Sequence, residues 1–301
     1  MPCQPHFVFG YAHSICLGGH YYLTNHMQGT LQGLIHSFIL HKFLTNTSHP
    51  TRVLLQRMIL FYHMGLIEDE IPESGMLFIS HQSFSYMHNT DPAASHLPHV
   101  NNIDGLMNLL SACVLVILGN VLDFRTYRAP TQEEYTKADK NQQILIDHEI
   151  NTIPVGERFA ICYARGVALR LINWIRQCSV ITGPGGDIIS DLPSRFFIQI
   201  AQTLIKYKEG ANASKLDLQA NCTLGMLTKQ INNVVDIDPH ISSLWSERHL
   251  LPSDSLALAN QDEYSVQWLP DLQRKWSSLP YGLFLFLDML CNSLFVFRFL
   301  L

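Results

Sequence analysis

Three histidines, His6, His13 and His20, recur at intervals of seven residues near the start of the sequence, in "PHFVFGYAHSICLGGHYY". Histidine nitrogens bind transition metals, and an Fe(II) centre that activates oxygen typically uses two histidines and one carboxylate, with coordination positions left open. Two of these ligands commonly come from one H-x-D or H-x-E motif, and the third is a distant histidine on a later strand. The three histidines are therefore candidates for that third ligand.

The other ligands of such a centre are missing from the sequence. None of the fifteen histidines has Asp or Glu two positions later, and only five residues precede His6. One imidazole cannot hold Fe(II) usefully, because the carboxylate and the second histidine supply most of the site. The sequence therefore predicts an incomplete iron site, and it identifies no catalytic residue.

The first residues are predicted to form short β-strands. Residues 6–9, 14–17 and 20–23 are rich in aromatic and β-branched side chains, with a turn at Gly10 and a bend at Gly18-Gly19. Such short strands are not stable alone, because each needs a partner layer to bury its apolar face. We therefore expect the chain to open in the middle of a β structure whose other strands are missing.

This opening, followed by "NHMQGTLQGLIHSF", resembles the final strands and following helix of the JmjC family. The family comprises Fe(II)- and 2-oxoglutarate-dependent dioxygenases built on a double-stranded β-helix, or jelly-roll. The segment 5–9 is similar to the family's Pro-x-x-x-x-His-x-Val-Tyr-Thr pattern, and 14–21 is similar to its later Gly-Gly strand. The resemblance covers residues 1–64 and is closest to the lysine-demethylase branch and to fungal JmjC-like proteins with a helical extension.

The resemblance implies a role for two of the three histidines. His6 falls on the family's distal metal ligand, and His20 falls where the family often has Asn near the carboxylate of 2-oxoglutarate. His13 lies in the turn between strands and receives no role. Fe(II) and 2-oxoglutarate are the implied cofactors, a histone or another protein is the implied substrate, and the nucleus is the implied location.

Three explanations for the missing half of the site remain open. The chain is a truncated gene model that starts at an internal methionine, or a genuine degenerate remnant, or the resemblance is accidental. The corresponding functions differ in class: part of a JmjC-type histone demethylase or protein hydroxylase, inactive as given; a noncatalytic helical interaction protein; or a helical protein tethered to a membrane.

The rest of the chain is predicted to be mainly helical, so the expected fold class is mainly α with a short N-terminal β segment from a jelly-roll. Apolar residues recur at helical spacing over several segments, which are 26–44, 52–64, 156–177 and 194–208. The segment 103–122 is apolar on all sides, apart from Asn108, Ser111 and Asn120, and predicts a buried core helix rather than a membrane span. No further strand is predicted.

The predicted organisation has five parts. Residues 1–24 end the JmjC-like jelly-roll, 25–67 form the associated helices, 68–102 form a loop, 103–279 form a helical region, and 280–301 form a hydrophobic tail. The tail includes "YGLFLFLDMLCNSLFVFRFLL", which is long enough to span a bilayer but contains Asp288 and Arg298. A membrane anchor, a buried helix and a translation artefact are its three interpretations.

Smaller motifs receive structural interpretations. The stretch "TGPGGDIISDLP" at 182–193 predicts a tight turn, because it lacks the Lys-Ser/Thr of a phosphate-binding loop. Thr131 to Glu134 predicts a capping box at a helix start, and 236–240 predicts a turn with a helix cap. His96 and His99 have a spacing close to that of metal ligands, but Pro98 and the loop context favour a solvated loop.

Composition limits the remaining possibilities. Hydrophobic residues make up 47% and charged residues 15% of the 301 residues, which predicts a sizeable core rather than disorder. The net charge of -5 and the absence of a Lys/Arg run give no direct signal for nucleic-acid binding. Seven cysteines without a C-x-x-C motif predict free thiols in a reducing compartment, and no signal peptide is recognisable, so an intracellular location is expected.

Overall fold

The computed structural model describes residues 22–40, 53–67, 97–128, 131–137, 140, 153–214, 221–247 and 264–272. Within these ranges the chain is mainly helical, with eight α-helices and one two-stranded antiparallel sheet, which confirms the coarse fold prediction. The predicted β segment, up to residue 21, and the hydrophobic tail 281–301 lie outside the described residues. The described helices include none that is long and apolar enough to cross a bilayer.

The helices and strands follow the chain in a simple order. Two 3₁₀ turns occur at Thr24–His26 and Phe124–Thr126. The α-helices are α1 (Met27–Leu40), α2 (Val53–Leu66), α3 (Ile103–Ile117), α4 (Gln132–Lys137), α5 (Val155–Cys178), α6 (Leu192–Ala213), α7 (Leu224–Val235) and α8 (Pro239–Glu247). The strands are β1 (Ser179–Thr182) and β2 (Ser265–Trp268). The predicted helices are confirmed on the described residues, except that the helix predicted over 103–122 ends at Ile117 and residues 118–122 form turns.

Helix α3 is the centre of the core. Every residue of this helix except Asp104 and Gly105 is buried, and it packs against α1, α2 and α5. This confirms the prediction of a buried core helix for its apolar sequence. The N-terminus is capped by Asn102, whose side-chain oxygen accepts a hydrogen bond from the Gly105 N–H at 2.7 Å. At the C-terminus, the guanidinium Nε of Arg165 donates to the Ile117 carbonyl at 3.1 Å.

A tight turn follows β1, as the sequence predicts. The Gly183 N–H donates to the Asp187 carbonyl at 2.9 Å, and the Gly186 N–H donates to the Gly183 carbonyl at 3.0 Å. Gly186 has a φ of 81°, which is a conformation that glycine adopts without a steric penalty. The Gly-rich stretch therefore reverses the chain between β1 and α6.

The two strands correct the prediction that no strand follows the N-terminal segment. β1 and β2 pair antiparallel, with Ser179 opposite Trp268 and Thr182 opposite Ser265. Each strand has only four residues, and the two lie far apart in the sequence. A strand this short gives a weak local pattern, and only its distant partner stabilises it. Within the described part of the predicted helical region 103–279, these two segments are therefore extended rather than helical.

Candidate functional site

The predicted iron and cosubstrate residues, His6 and His20, lie outside the described residues, as do His13 and His96. His99 is described and is exposed, in agreement with its interpretation as a solvated loop residue. Across the described ranges, no group of three or more His, Cys, Asp or Glu side chains is arranged to hold a metal ion. The assignments of His6 to Fe(II) and of His20 to 2-oxoglutarate therefore stay predictions.

The first described residues, 22–28, are attached directly to the helical core. The Tyr22 side chain packs against the core, and the hydroxyls of Thr24 and Tyr62 share a hydrogen bond of 2.9 Å. Tyr62, in α2, is only 2% exposed, and burial raises its pKa to about 12. The Tyr62 hydroxyl therefore stays protonated at neutral pH, and this bond joins the chain before α1 to the middle of the bundle.

The start of α1 is fixed by a second set of hydrogen bonds. The first N–H groups of a helix have no acceptor within the helix. The side-chain oxygen of Asn108, in α3, accepts from the Gln28 N–H at 3.1 Å, and the Gln28 side chain donates to Asp104 at 3.1 Å. Asn108 interrupts the apolar sequence of α3, and its polar side chain serves here as a cap for another helix.

A charged contact joins two helices where Asp191 meets His240. Asp191 is the residue before α6, and its carboxylate contacts Nε2 of His240 in the first turn of α8. The Asp191 side chain is 14% exposed and the His240 side chain is 38% exposed. Asp191 has a φ of 58°, in the left-handed region that few residues other than glycine adopt. This pair links the starts of α6 and α8.

A second layer of hydrogen bonds holds the start of α8. One carboxylate oxygen of Asp238 accepts from the backbone N–H groups of His240 at 2.9 Å and Ile241 at 3.0 Å. Its other oxygen accepts from the Asn173 amide at 3.0 Å, and the Asn173 oxygen accepts from Arg176 at 2.9 Å. The predicted turn and helix cap at 236–240 are thereby confirmed.

The chemistry of the Asp191–His240 pair is limited by its surroundings. A carboxylate that orients an imidazole is one half of a nucleophilic catalytic site, whose other half is a hydroxyl or thiol bonded to the ring. Among the described residues, no hydroxyl or thiol makes that bond to His240, and Ser194, in the first turn of α6, is fully buried. The pair therefore serves as a polar contact that joins the starts of α6 and α8. The sequence gives no local sign of it, because the residues are far apart.

A buried histidine lies elsewhere in the core, in α2. His63 is fully buried, and burial, together with the positive charge of Arg170 in α5, lowers its pKa to about 3. Arg170 is itself only 6% exposed. His63 is therefore neutral throughout the physiological pH range, and its role is structural.

The chain matches no protein-family model, no curated protein and no solved structure.

Proposed function

We propose that the described helices form a noncatalytic module that holds the end of a JmjC-like jelly-roll in a fixed position. The proposal combines the resemblance of residues 1–64 with the geometry of the residues that follow the predicted strands. It assigns the chemistry of an oxygenase to strands outside these helices, and it assigns to the helices the role of a rigid support.

The observation that carries the proposal is the direct attachment of residues 22–28 to the core. Thr24 bonds to Tyr62 of α2, and Gln28 bonds to Asn108 and Asp104 of α3. A flexible linker would show few buried apolar contacts and few hydrogen bonds to the body. Residues 22–28 make buried apolar contacts as well as hydrogen bonds to the core. A strand that ends at residue 23 would therefore be held in place by the helices.

The residues of this chain do not fit a complete Fe(II) site. His6 is the only predicted metal ligand, and the sequence contains no H-x-D or H-x-E motif. Such a centre needs two histidines and a carboxylate, so the other two ligands would have to come from another polypeptide segment. The proposal therefore expects no oxygenase turnover from the chain as given. A histone or other protein substrate and a nuclear location belong to a complete enzyme of this type.

Turnover of 2-oxoglutarate tests the noncatalytic part of the proposal. The full chain is incubated with Fe(II), ascorbate and 2-oxoglutarate, and succinate is measured beside a sample without protein. The expected result is succinate at the level of the blank. Succinate release that disappears in His6→Ala but persists in His13→Ala would overturn the proposal, because it would require a complete site within this chain.

A further inference from the structure

Two polar side chains in the first turn of α6 have buried hydrogen-bonding atoms. Ser194 is fully buried, and its hydroxyl has no hydrogen-bond partner among the described residues. Arg195 is half-buried, and within the same ranges no acceptor meets its buried guanidinium Nε. Buried polar groups almost always have a partner in the protein, in ordered water or in a ligand. The start of α6 is therefore a candidate binding site for a group that accepts hydrogen bonds.

The backbone supplies further donors at the same place. The first N–H groups of a helix have no acceptor within the helix. The Arg195 N–H donates to the Asp191 carbonyl at 3.1 Å. The N–H groups of Leu192 and Ser194 come before it, and the Asp191 side chain does not cap them. Helical side chains tilt toward the N-terminus, so the Ser194 hydroxyl is directed to this end of α6 as well. The partial positive charge of a helix N-terminus favours an anion there.

A buried acceptor accompanies these donors. Asp191 contacts His240 through one carboxylate oxygen, Oδ2. Its other oxygen, Oδ1, is buried and has no donor in the part of the chain that the structure describes. Asp191 precedes Ser194 by three positions and Arg195 by four, so the three side chains lie along one side of the first turn. A ligand that satisfies all of them must accept several hydrogen bonds and donate one.

We propose that the start of α6 binds inorganic phosphate in a form that carries at least one proton. Its unprotonated oxygens accept from the Ser194 hydroxyl, from Nε of Arg195 and from the first N–H groups of the helix. Its P–OH group donates to Oδ1 of Asp191. The guanidinium charge and the helix N-terminus stabilise the anion. The His240 side chain is 38% exposed and Arg195 is half-buried, so these two side chains form the solvent-facing side of the site.

The single acceptor, Oδ1 of Asp191, distinguishes phosphate from related anions. Sulfate has the same tetrahedral shape but carries no proton near neutral pH, so it would place an oxygen without hydrogen against the carboxylate. A phosphate monoester loses its last proton with a pKa of about 6, so at pH 7.5 it has no P–OH group to donate. Inorganic phosphate still carries a proton at this pH. The site should therefore prefer phosphate to both.

Isothermal titration calorimetry of the full chain at pH 7.5 and constant ionic strength tests this preference. The three ligands are sodium phosphate, sodium sulfate and glycerol phosphate. We expect phosphate to bind and the other two to bind about tenfold more weakly or less, because each leaves the buried Asp191 oxygen without a donor. Equal binding of phosphate and sulfate, or tighter binding of the ester, would overturn the proposal. No binding of phosphate at millimolar concentration would also overturn it and would identify water as the partner of these groups.

Two variants test the assigned contacts. Ser194→Ala removes the hydroxyl donor and should weaken phosphate binding about tenfold. Ser243→Ala changes an exposed serine of α8 and is the matched control, with unchanged binding expected. Asparagine tolerates the left-handed backbone of position 191, and its amide can donate to an unprotonated oxygen. Asp191→Asn should therefore bind sulfate as well as phosphate.

Circular dichroism establishes that each variant is folded. A folded Ser194→Ala chain with the affinity of the wild type would contradict the proposed site. A folded Asp191→Asn chain that still discriminates against sulfate would contradict the role of the carboxylate. The comparison of the three ligands uses the unaltered chain, so it decides the proposal even where a variant does not fold.

Discussion

The hydroxyl groups of Thr24 and Tyr62 lie 2.9 Å apart, although 38 residues separate them in the sequence. This hydrogen bond joins the segment that follows the predicted N-terminal strands to α2. Since Tyr62 is almost completely buried, the bond forms in an environment with little competing water. The proposed support of the jelly-roll end depends on this attachment.

Thr24→Val and Tyr62→Phe should each lower the free energy of unfolding by about 1 kcal/mol, because each removes one partner of a partly buried hydrogen bond. The double variant should be less destabilised than the sum of the two, because the second change removes a group that has already lost its partner. Urea unfolding of the four chains measures this coupling. Strict additivity would show that the two hydroxyls do not interact in solution.

His63 should make the folded chain sensitive to acid. The pKa of His63 is about 3 in the folded chain, and about 6.5 is the ordinary value for an unfolded chain. Between these values the unfolded chain binds a proton that the folded chain does not, so stability falls as the pH drops. The contribution of this residue reaches about 1.4 kcal/mol per pH unit below pH 6.5 and is absent above it.

Urea unfolding of the wild type and His63→Gln between pH 4 and pH 8 measures this contribution. The difference between the two chains should be constant above about pH 7 and shift in favour of the variant as the pH falls. His36→Gln is the matched control, since His36 is an exposed histidine of α1. A pH dependence that is the same in the wild type and in His63→Gln would contradict the buried, neutral state of His63.

Gly105→Ala should destabilise the chain although alanine favours helices. A Cβ at this position would lie closer to the carbonyl oxygen of His99 than real Cβ atoms approach, so the backbone would have to shift. The expected cost is about 1 to 3 kcal/mol in a thermal or urea unfolding experiment. Gly210→Ala is the control, because a Cβ there meets nothing within 4 Å. It should raise stability by about 0.5 to 1 kcal/mol. Equal effects of the two changes would refute the close approach at Gly105.

Thiol labelling distinguishes the cysteines of the helical body. Cys113, Cys178 and Cys222 are buried, and Cys162 is partly exposed. Burial raises the pKa of Cys178 to about 12 and raises that of Cys113 further, so neither forms a reactive thiolate at neutral pH.

A chain in which serine replaces the cysteines outside the described residues, which are Cys3, Cys16 and Cys291, isolates these four. With Ellman's reagent at pH 8, one thiol should react rapidly in the folded chain, and Cys162→Ser should abolish this phase. The other three should react only after unfolding. Rapid reaction of two or more thiols in the folded chain would contradict the buried positions.

Features that depend on neighbouring residues, such as helices, turns and caps, are predicted correctly from the sequence. Helix α3 is predicted correctly because its residues are apolar on every side, which is typical of a helix buried in the core. The turn at Gly183 to Asp187 and the cap at Asp238 are predicted correctly because glycine and aspartate have strong local conformational preferences. The predictions for His6 and His20 stay predictions, since both residues lie outside the described part of the chain.

Contacts between residues that lie far apart in the sequence cannot be predicted from short-range residue patterns. The segment YSVQW at 264–268 alternates apolar and polar side chains, but the position of Trp268 is set by β1 and Trp174, which precede it by far in the sequence. The pairing of Asp191 with His240 also depends on how α6 and α8 pack. Both features therefore emerge only when the packing of the helices is known.

Native-state hydrogen exchange at the Gln28 amide tests the central claim most directly. This N–H donates to the side-chain oxygen of Asn108 in α3, so its exchange reports whether the segment 22–28 is attached to the core. We predict that Gln28 exchanges as slowly as the amides in the middle of α3, and that Asn108→Ala speeds its exchange selectively. Exchange of Gln28 in the wild type at the rate of an unstructured peptide would contradict the proposed support of the jelly-roll end.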